Sequence, residues 1–307
     1  MASHGRHVWV ETPQGERRIC HARSKKNQTV VGDRVLWRPS QDEGTIEEVL
    51  ARRNLLYRQD EVRTKSFAAN LDLVLVLLAA EPEFSQSQLT RALIAAAAQD
   101  IAVLIVLNKS DLQPQFTRAW ERLAPYRAMG YTVLGTALHP KDAARAAKTP
   151  HPADGWTQLL GALAQKTSLV LGPSGAGKST LINRLVPGAP ALTQEISSAL
   201  HAGRHTTTST THYWTDAART TALIDSPGFQ EFGLRHIDPM HLAGLMPDLR
   251  ARAGECKFYN CSHVHEPGCA VMAHLGGPDT PHAEHLISPG RYRIYLELFS
   301  ELSQPRY

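Results

Sequence analysis

The nine residues Gly172-Pro173-Ser174-Gly175-Ala176-Gly177-Lys178-Ser179-Thr180 constrain this chain more than any other stretch. They fit G-x-x-x-x-G-K-[ST]. The apolar run Ser168–Leu171 precedes them and Leu181–Leu185 follows with helical character, so the pattern sits where a strand turns into a helix. Glycines at 172, 175 and 177 let the backbone close around a phosphate group. Successive N–H groups and the helix N-terminus then supply positive potential. Lys178 is placed to reach β- and γ-phosphates, and the Ser179 hydroxyl to ligate Mg²⁺. A glycine-rich turn capped by serine is the plain alternative, and the flanking strand and helix count against it.

The chain around this loop reads as alternating strands and helices from about residue 67. Leu73–Ala79 and Ile101–Leu107 are continuous apolar runs, as expected of strands covered on both faces in a parallel sheet. Gln86–Asp100 suits a crossover helix, Phe116–Met129 a further helix, Tyr131–Leu134 a strand, and Trp156–Ala164 the helix leading into the loop strand.

Asn108-Lys109-Ser110-Asp111 closes the second of those strands, at the sheet edge where open α/β folds bind ligands. The tetrapeptide resembles the guanine-specificity motif of GTPases. Asp111 can accept from guanine N1–H and N2–H₂ together, Asn108 would serve O6/N7, and the Lys109 stem would pack on the ring. The Gly135-Thr136-Ala137 turn is a candidate backbone contact to guanine O6, although relatives usually carry Ser-Ala there.

Asp225-Ser-Pro-Gly228 ends the apolar run Ala222–Ile224 and fits Asp-x-x-Gly. Asp225 would hold Mg²⁺ through water, and the Gly228 N–H would sense the γ-phosphate. Between this motif and the loop lies Gly203-Arg-His-Thr-Thr-Thr208, where Thr206 or Thr207 would complete the Mg²⁺ shell. Phe229 stands where many GTPases place a water-orienting Gln, so intrinsic hydrolysis should be slow. His205 is the candidate for that task, with Gln230 as the alternative.

Residues 1–64 carry short β-prone runs (His7–Val10, Thr29–Val31, Arg34–Trp37, Gly44–Leu50) separated by turn residues, which suggests a small OB-type barrel. Basic residues cluster at 17–26 and 52–53. With Trp9 and Trp37 nearby, RNA contact and a solvated face are both open. Cys20 stands alone and reads as a small buried hydrophobe.

Cys256, Cys261, His263 and Cys269 suit a closed tetrahedral Zn²⁺ site of the structural kind, with His265 the rival of His263. The helix Arg291–Leu302 presents one apolar face for packing on this zinc loop.

Charge and apolar runs bound the setting. A net charge of +4 permits a nucleic-acid partner without requiring one. No apolar run is long enough to cross a bilayer, and the first residues lack a signal-peptide core, so a cytoplasmic protein with no membrane partner is expected.

The motifs run in an unusual order: Asn-Lys-x-Asp, then the phosphate loop, then Asp-x-x-Gly. Taken with Val31-Gly-Asp-Arg-Val35, Arg52-Arg-Asn-Leu-Leu-Tyr57 and His265-Glu-Pro-Gly-Cys269, the chain resembles the circularly permuted small-ribosomal-subunit biogenesis GTPases over nearly its whole length. The resemblance implies a multi-domain protein: an OB-type RNA-binding barrel over 1–64, a circularly permuted α/β P-loop GTPase domain over 65–235, and a mostly α-helical zinc-binding domain over 236–307. It further implies a monomeric GTPase, using GTP/GDP, Mg²⁺ and one structural Zn²⁺. Such a protein would bind the small (30S) ribosomal subunit and its 16S rRNA, assist late maturation and release of assembly factors, and be stimulated by the particle. Two other classes stay open: a different P-loop enzyme such as an ATPase or kinase, and an RNA-binding module whose nucleotide is regulatory.

Overall fold

The computed structural model describes residues 2–4, 7–23, 28–40, 43–61, 64–139, 155–189, 210–226, 229, 232–276 and 287–305. The first strands, β1 (Ala2–His4), β2 (His7–Glu11), β3 (Arg17–Ala22), β4 (Val35–Arg38) and β5 (Gly44–Val49), lie in the spatial order β1-β2-β3-β5-β4. Every neighbouring pair is antiparallel except β3 and β5, which run parallel. That is the strand order of an OB barrel. Its small core is Val8, Cys20 and Ile46, with Val10, Val35 and Trp37 packed on it. Cys20 is fully buried, as a small hydrophobe should be, and burial pushes its thiol pKa up.

Thr29–Val31 is not a strand. Val30 N–H donates to Asp33 Oδ2 at 2.8 Å, and the Asp33 carboxylate also receives the Arg52 guanidinium at 2.7 Å. These side-chain bonds offer the backbone a turn in place of a ladder. Gly32 sits at φ +92°, and a Cβ there would lie 2.2 Å from the Ala69 carbonyl oxygen, so this turn docks against the next hairpin.

That hairpin is β6 (Leu55–Gln59) and β7 (Thr64–Ala69), which spans the expected boundary at 64/65. Phe67 at its end stacks on Phe232 with ring centroids 5.3 Å apart.

The central sheet adds β8 (Leu73–Ala79), β9 (Ala102–Asn108), β10 (Thr132–Thr136), β11 (Thr167–Leu171), β12 (Thr211–Trp214) and β13 (Ala222–Asp225) in the order β10-β9-β8-β11-β13-β12. The pairs are parallel up to β13, and β12 closes the edge antiparallel. All seven residues of β8 are buried, as its continuous apolar run predicts. Alternate residues feed two cores. Val74, Val76 and Leu78 face α1 (Gln86–Ala97) and α2 (Gln115–Arg122). Leu73, Leu75 and Leu77 face Leu159 and Leu163 of α4 (Gly155–Leu163) and Leu181 of α5 (Lys178–Leu185). Each such fully buried leucine contributes about 1.5–3 kcal/mol.

The helix expected over Phe116–Met129 is broken. It ends at Arg122, and α3 (Ala124–Ala128) restarts with Pro125 in its first turn. A proline ring cannot continue the preceding helix, but fits a first turn. At the far edge, Ala2 of β1 pairs with Thr211 of β12, so barrel and central domain share one eleven-stranded sheet.

The C-terminal part comprises a 3₁₀ helix (Pro239–Leu245), α6 (Pro247–Ala253), α7 (Ala270–Ala273) and α8 (Pro289–Leu302). Ile294, Tyr295, Leu298 and Leu302 of α8 are buried in the same core as α1, which confirms a packing face. Arg291 is 3% exposed. It binds Asp248 through Nε at 2.9 Å and Nη2 at 3.2 Å, and Thr90 Oγ1 through Nη1 at 2.6 Å, locking α8 to α6 and α1. Among the described residues no helix is long and apolar enough to cross a membrane.

Candidate active site

Strand β11 delivers the loop Gly172–Gly177 to the C-terminal edge of the sheet, and α5 starts at Lys178. A Cβ at Gly172 would lie 2.2 Å from the Leu77 carbonyl oxygen, so the loop leaves its strand in close contact with β8. Gly177 holds φ +106°, in the left-handed region that favours glycine. A Cβ there would meet Asn108 Nδ2 at 2.5 Å.

Asn108 is 4% exposed at the end of β9. Its Nδ2 donates to the Ala176 carbonyl at 2.9 Å, and its Oδ1 accepts from Leu138 N–H at 3.0 Å and from Thr136 Oγ1 at 3.5 Å. One amide thus ties the phosphate loop to the turn after β10. Lys109 takes φ +67° and donates its ammonium to the Glu81 carbonyl at 2.5 Å. Ser110 N–H donates to the Thr136 carbonyl at 3.0 Å, and Asp111 follows, half-buried. Thr136 is buried and Ala137 half-buried beside them.

Within the loop, Lys178 Nζ donates to the Gly172 carbonyl at 2.7 Å and to the Pro173 carbonyl at 3.4 Å. Burial lowers its pKa, while Asp225 acts the other way. Burial likewise raises the Asp225 pKa, and Lys178 opposes that. The two charges therefore sense each other across the site. Pro173 is half-buried, Ser174, Gly175 and Ser179 are exposed, Ala176 is buried, and Thr180 is half-buried. Phe229 is 4% exposed within the main core, so it serves packing. His205, Thr206, Thr207, Gly228 and Gln230 lie outside the described residues.

The second cluster is Cys256, Cys261, His263 and Cys269, whose ligand atoms all lie within 4.8 Å of one another. Cys256 Sγ and Cys269 Sγ are 4.0 Å apart, and His263 Nδ1 lies 3.4 Å and 3.5 Å from them. Two thiolates bound at about 2.3 Å on one tetrahedral Zn²⁺ sit about 3.8 Å apart, so this donor set fits that ion. Further out, Ala270 N–H points at Cys256 Sγ at 3.4 Å and Met272 N–H at Cys269 Sγ at 3.5 Å.

His263 adopts φ +59°, which turns its ring into the cluster, while His265 is exposed outside it. Glu266 was not foreseen. Its carboxylate accepts from Ser262 N–H at 2.8 Å, Ser262 Oγ at 2.6 Å, and Val264 and His265 N–H at 3.3 Å. Burial acts to raise its pKa, but these hydrogen bonds prevail and hold it well below the usual carboxylate range. α8 seals the loop from behind, with Tyr295 OH donating to the Ser262 carbonyl at 2.6 Å and Tyr292 OH to the His263 carbonyl at 2.8 Å.

A family model described as RsgA GTPase matches residues 49–235. The chain belongs to the RsgA GTPase family. It is a GTP-hydrolysing enzyme of circularly permuted plan. It is 66% identical over 307 residues to the small ribosomal subunit biogenesis GTPase RsgA of Variovorax paradoxus (strain S110), covering 100% of this chain and 92% of that one. To the same-named protein of Burkholderia mallei (strain SAVP1) it is 48% identical over 306 residues, covering 99% and 91%. The fold is similar to the crystal structure of YjeQ from Thermotoga maritima, with TM-score 0.72 and 27% identity over 99% of this chain and 96% of that one. It is also similar to YloQ, a circularly permuted GTPase, with TM-score 0.67 and 26% identity over 99% and 94%.

Membership of this family explains why the guanine-type motif precedes the phosphate loop in sequence yet meets it in space. β8 and β9 lie on one flank of β11 and β13 on the other, so permutation leaves the sheet edge intact.

Proposed function

We propose that this chain acts in assembly of the small ribosomal subunit, hydrolysing GTP to GDP and phosphate at the sheet edge built by Gly172–Thr180 and Asn108–Asp111. The Asn108–Ala176 hydrogen bond carries the reading, because it joins Asn108–Asp111 to the loop Gly172–Thr180. Asp111 reads the N1–H and N2–H₂ edge of guanine. Asn108 fixes the loop beside the base, the Lys109 stem covers the ring, and Ser110, Thr136 and Ala137 shape the base pocket. The backbone of Pro173–Gly177 and the start of α5 cradle the phosphates. Lys178 leaves its loop carbonyls for the β- and γ-phosphates, and Thr180 supports the first turn. Ser179 and Asp225, with Thr206 or Thr207, would hold Mg²⁺, which neutralises charge on the transferring phosphoryl group when bound. Gly228 N–H contacts the γ-phosphate.

Phe229 is buried and cannot orient water, so turnover is slow until the particle orders the switch and His205 positions the attacking water. Zn²⁺ held by Cys256, Cys261, His263 and Cys269 would fix the C-terminal loop as a rigid surface. The division into barrel (1–64), GTPase (65–235) and zinc domain (236–307), a monomeric cytoplasmic protein, 16S rRNA contact and release of assembly factors belong to the same reading; the names of the relatives support its small-subunit part. The test is GTP turnover with and without purified small subunits, with co-sedimentation in parallel. Strong stimulation by small but not large subunits is expected. Flat turnover with no co-sedimentation would overturn the assignment of partner.

A further inference from the structure

A cleft of about 630 Å³ lies where β2 and β4 of the barrel face β12 of the GTPase sheet. It is separate from the nucleotide edge. Three of the chain's five tryptophans line it: Trp9, Trp37 and Trp214. Two of these rings are held in place. The Trp214 indole N–H donates to Glu11 Oε1 at 2.6 Å, and Trp37 packs on the barrel core of Val8, Cys20 and Ile46. His212, two residues before Trp214 on the same strand face, also lines the cleft and meets the Trp214 ring edge-on, with centroids 4.6 Å apart. It is 7% exposed, so it backs the Trp214 ring. Arg34 and Arg219 are exposed on the lining, and Arg219 Nη1 lies 4.0 Å from Oε1 of Glu11, whose carboxylate also lines the cleft.

Aromatic side chains and rim cations are the features that hold an unstacked base and its phosphates. The volume is in the range of ordinary ligand sites and lies between domains, where such sites concentrate. We propose that this cleft takes a single unstacked nucleobase of an RNA strand, stacked on the indoles, with the flanking backbone along Arg34 and Arg219. The inference rests on the small-subunit reading above. It also gives the barrel a use that strand geometry alone does not supply.

The experiment uses the full chain loaded with GDP, so that the catalytic edge is filled. The probe is a single-stranded hexaribonucleotide with 2-aminopurine at its centre. It is compared with the same RNA abasic at that position and with free 2-aminopurine riboside monophosphate. Binding should quench the 2-aminopurine emission, and the abasic RNA should bind about ten-fold more weakly, the scale of one lost stack. Ala218→Trp, on the exposed lining, and Trp37→Ala should each reproduce that loss with GDP affinity unchanged. Equal binding of abasic RNA, or no effect of Ala218→Trp, would overturn the site. Free monophosphate binding as tightly as the RNA would make it a free-nucleotide site and overturn the RNA assignment. If the wild-type chain binds neither RNA but still co-sediments with small subunits, the cleft inference fails alone. Loss of both removes the reading beneath it.

Discussion

Asn108 and Ala176 are 68 residues apart in sequence and 2.9 Å apart through Nδ2 and a carbonyl oxygen. This bond joins the two motifs of the nucleotide edge before any ligand arrives. Asn108→Ala removes the donor and also strands the Leu138 N–H, which Oδ1 receives at 3.0 Å. Losing a buried partner on each side costs about 1–3 kcal/mol per group. GDP affinity measured by calorimetry should fall at least ten-fold, with the far-ultraviolet circular dichroism unchanged.

Arg291 and Asp248 form a buried pair at 2.9 Å. Removing one partner leaves an uncompensated charge, a loss of about 3–5 kcal/mol. Asp248→Asn should therefore lower the midpoint of urea unfolding strongly. The double change Arg291→Met with Asp248→Leu should recover much of it. A double variant as weak as the single one would contradict this account of the pair.

The cluster of Cys256, Cys261, His263 and Cys269 leans on a carboxylate outside its donor set. Glu266→Ala frees Ser262 N–H, Ser262 Oγ and two further backbone donors at once. We expect about one zinc per wild-type chain by elemental analysis and a ten- to hundred-fold weaker affinity in the variant, the usual size of an outer-shell loss. Chelator should expose α8, read as faster amide exchange at Tyr292 and Tyr295.

His212 makes stability depend on pH. Burial depresses its pKa from 6.5 to about 4. The unfolded chain therefore binds the extra proton between pH 6.5 and 4, and the fold does not. Stability is full above about 6.5, falls as pH drops through this window, and levels off below 4. The loss across this window is on the order of a few kcal/mol at most. Denaturant titrations at pH 7 and pH 4.5 should differ by less in His212→Phe than in the wild type.

The nucleotide edge was legible because its chemistry requires fixed residues at fixed spacing: Lys178 after Gly177, Asp111 three after Asn108. The clustering of Cys256, Cys261 and Cys269 was legible for the same reason, and only the choice of His263 over His265 as their neighbour needed the left-handed turn at 263. The continuous runs at β8 and β9 announced themselves because both faces are buried. β3 and the β6–β7 hairpin did not. Arg17-Arg18-Ile19-Cys20-His21-Ala22 and Thr64-Lys65-Ser66 are half-solvated strands whose polar residues hide the alternation. Thr29–Val31 carried strand propensity, but Asp33 captured its backbone. The Ala2–Thr211 pairing and the Glu11–Trp214 bond join residues more than 200 apart, and local patterning holds no signal for such contacts.

The measurement that bears most directly on the central claim is a nucleotide swap at Asp111. Wild-type chain should turn over GTP and not ATP or xanthosine triphosphate. In Asp111→Asn, GTP turnover should collapse while xanthosine triphosphate becomes the preferred substrate, because the new amide donates where the carboxylate accepted. A variant that still prefers GTP, or a wild type that accepts ATP equally, would contradict the placing of guanine recognition at Asn108–Asp111.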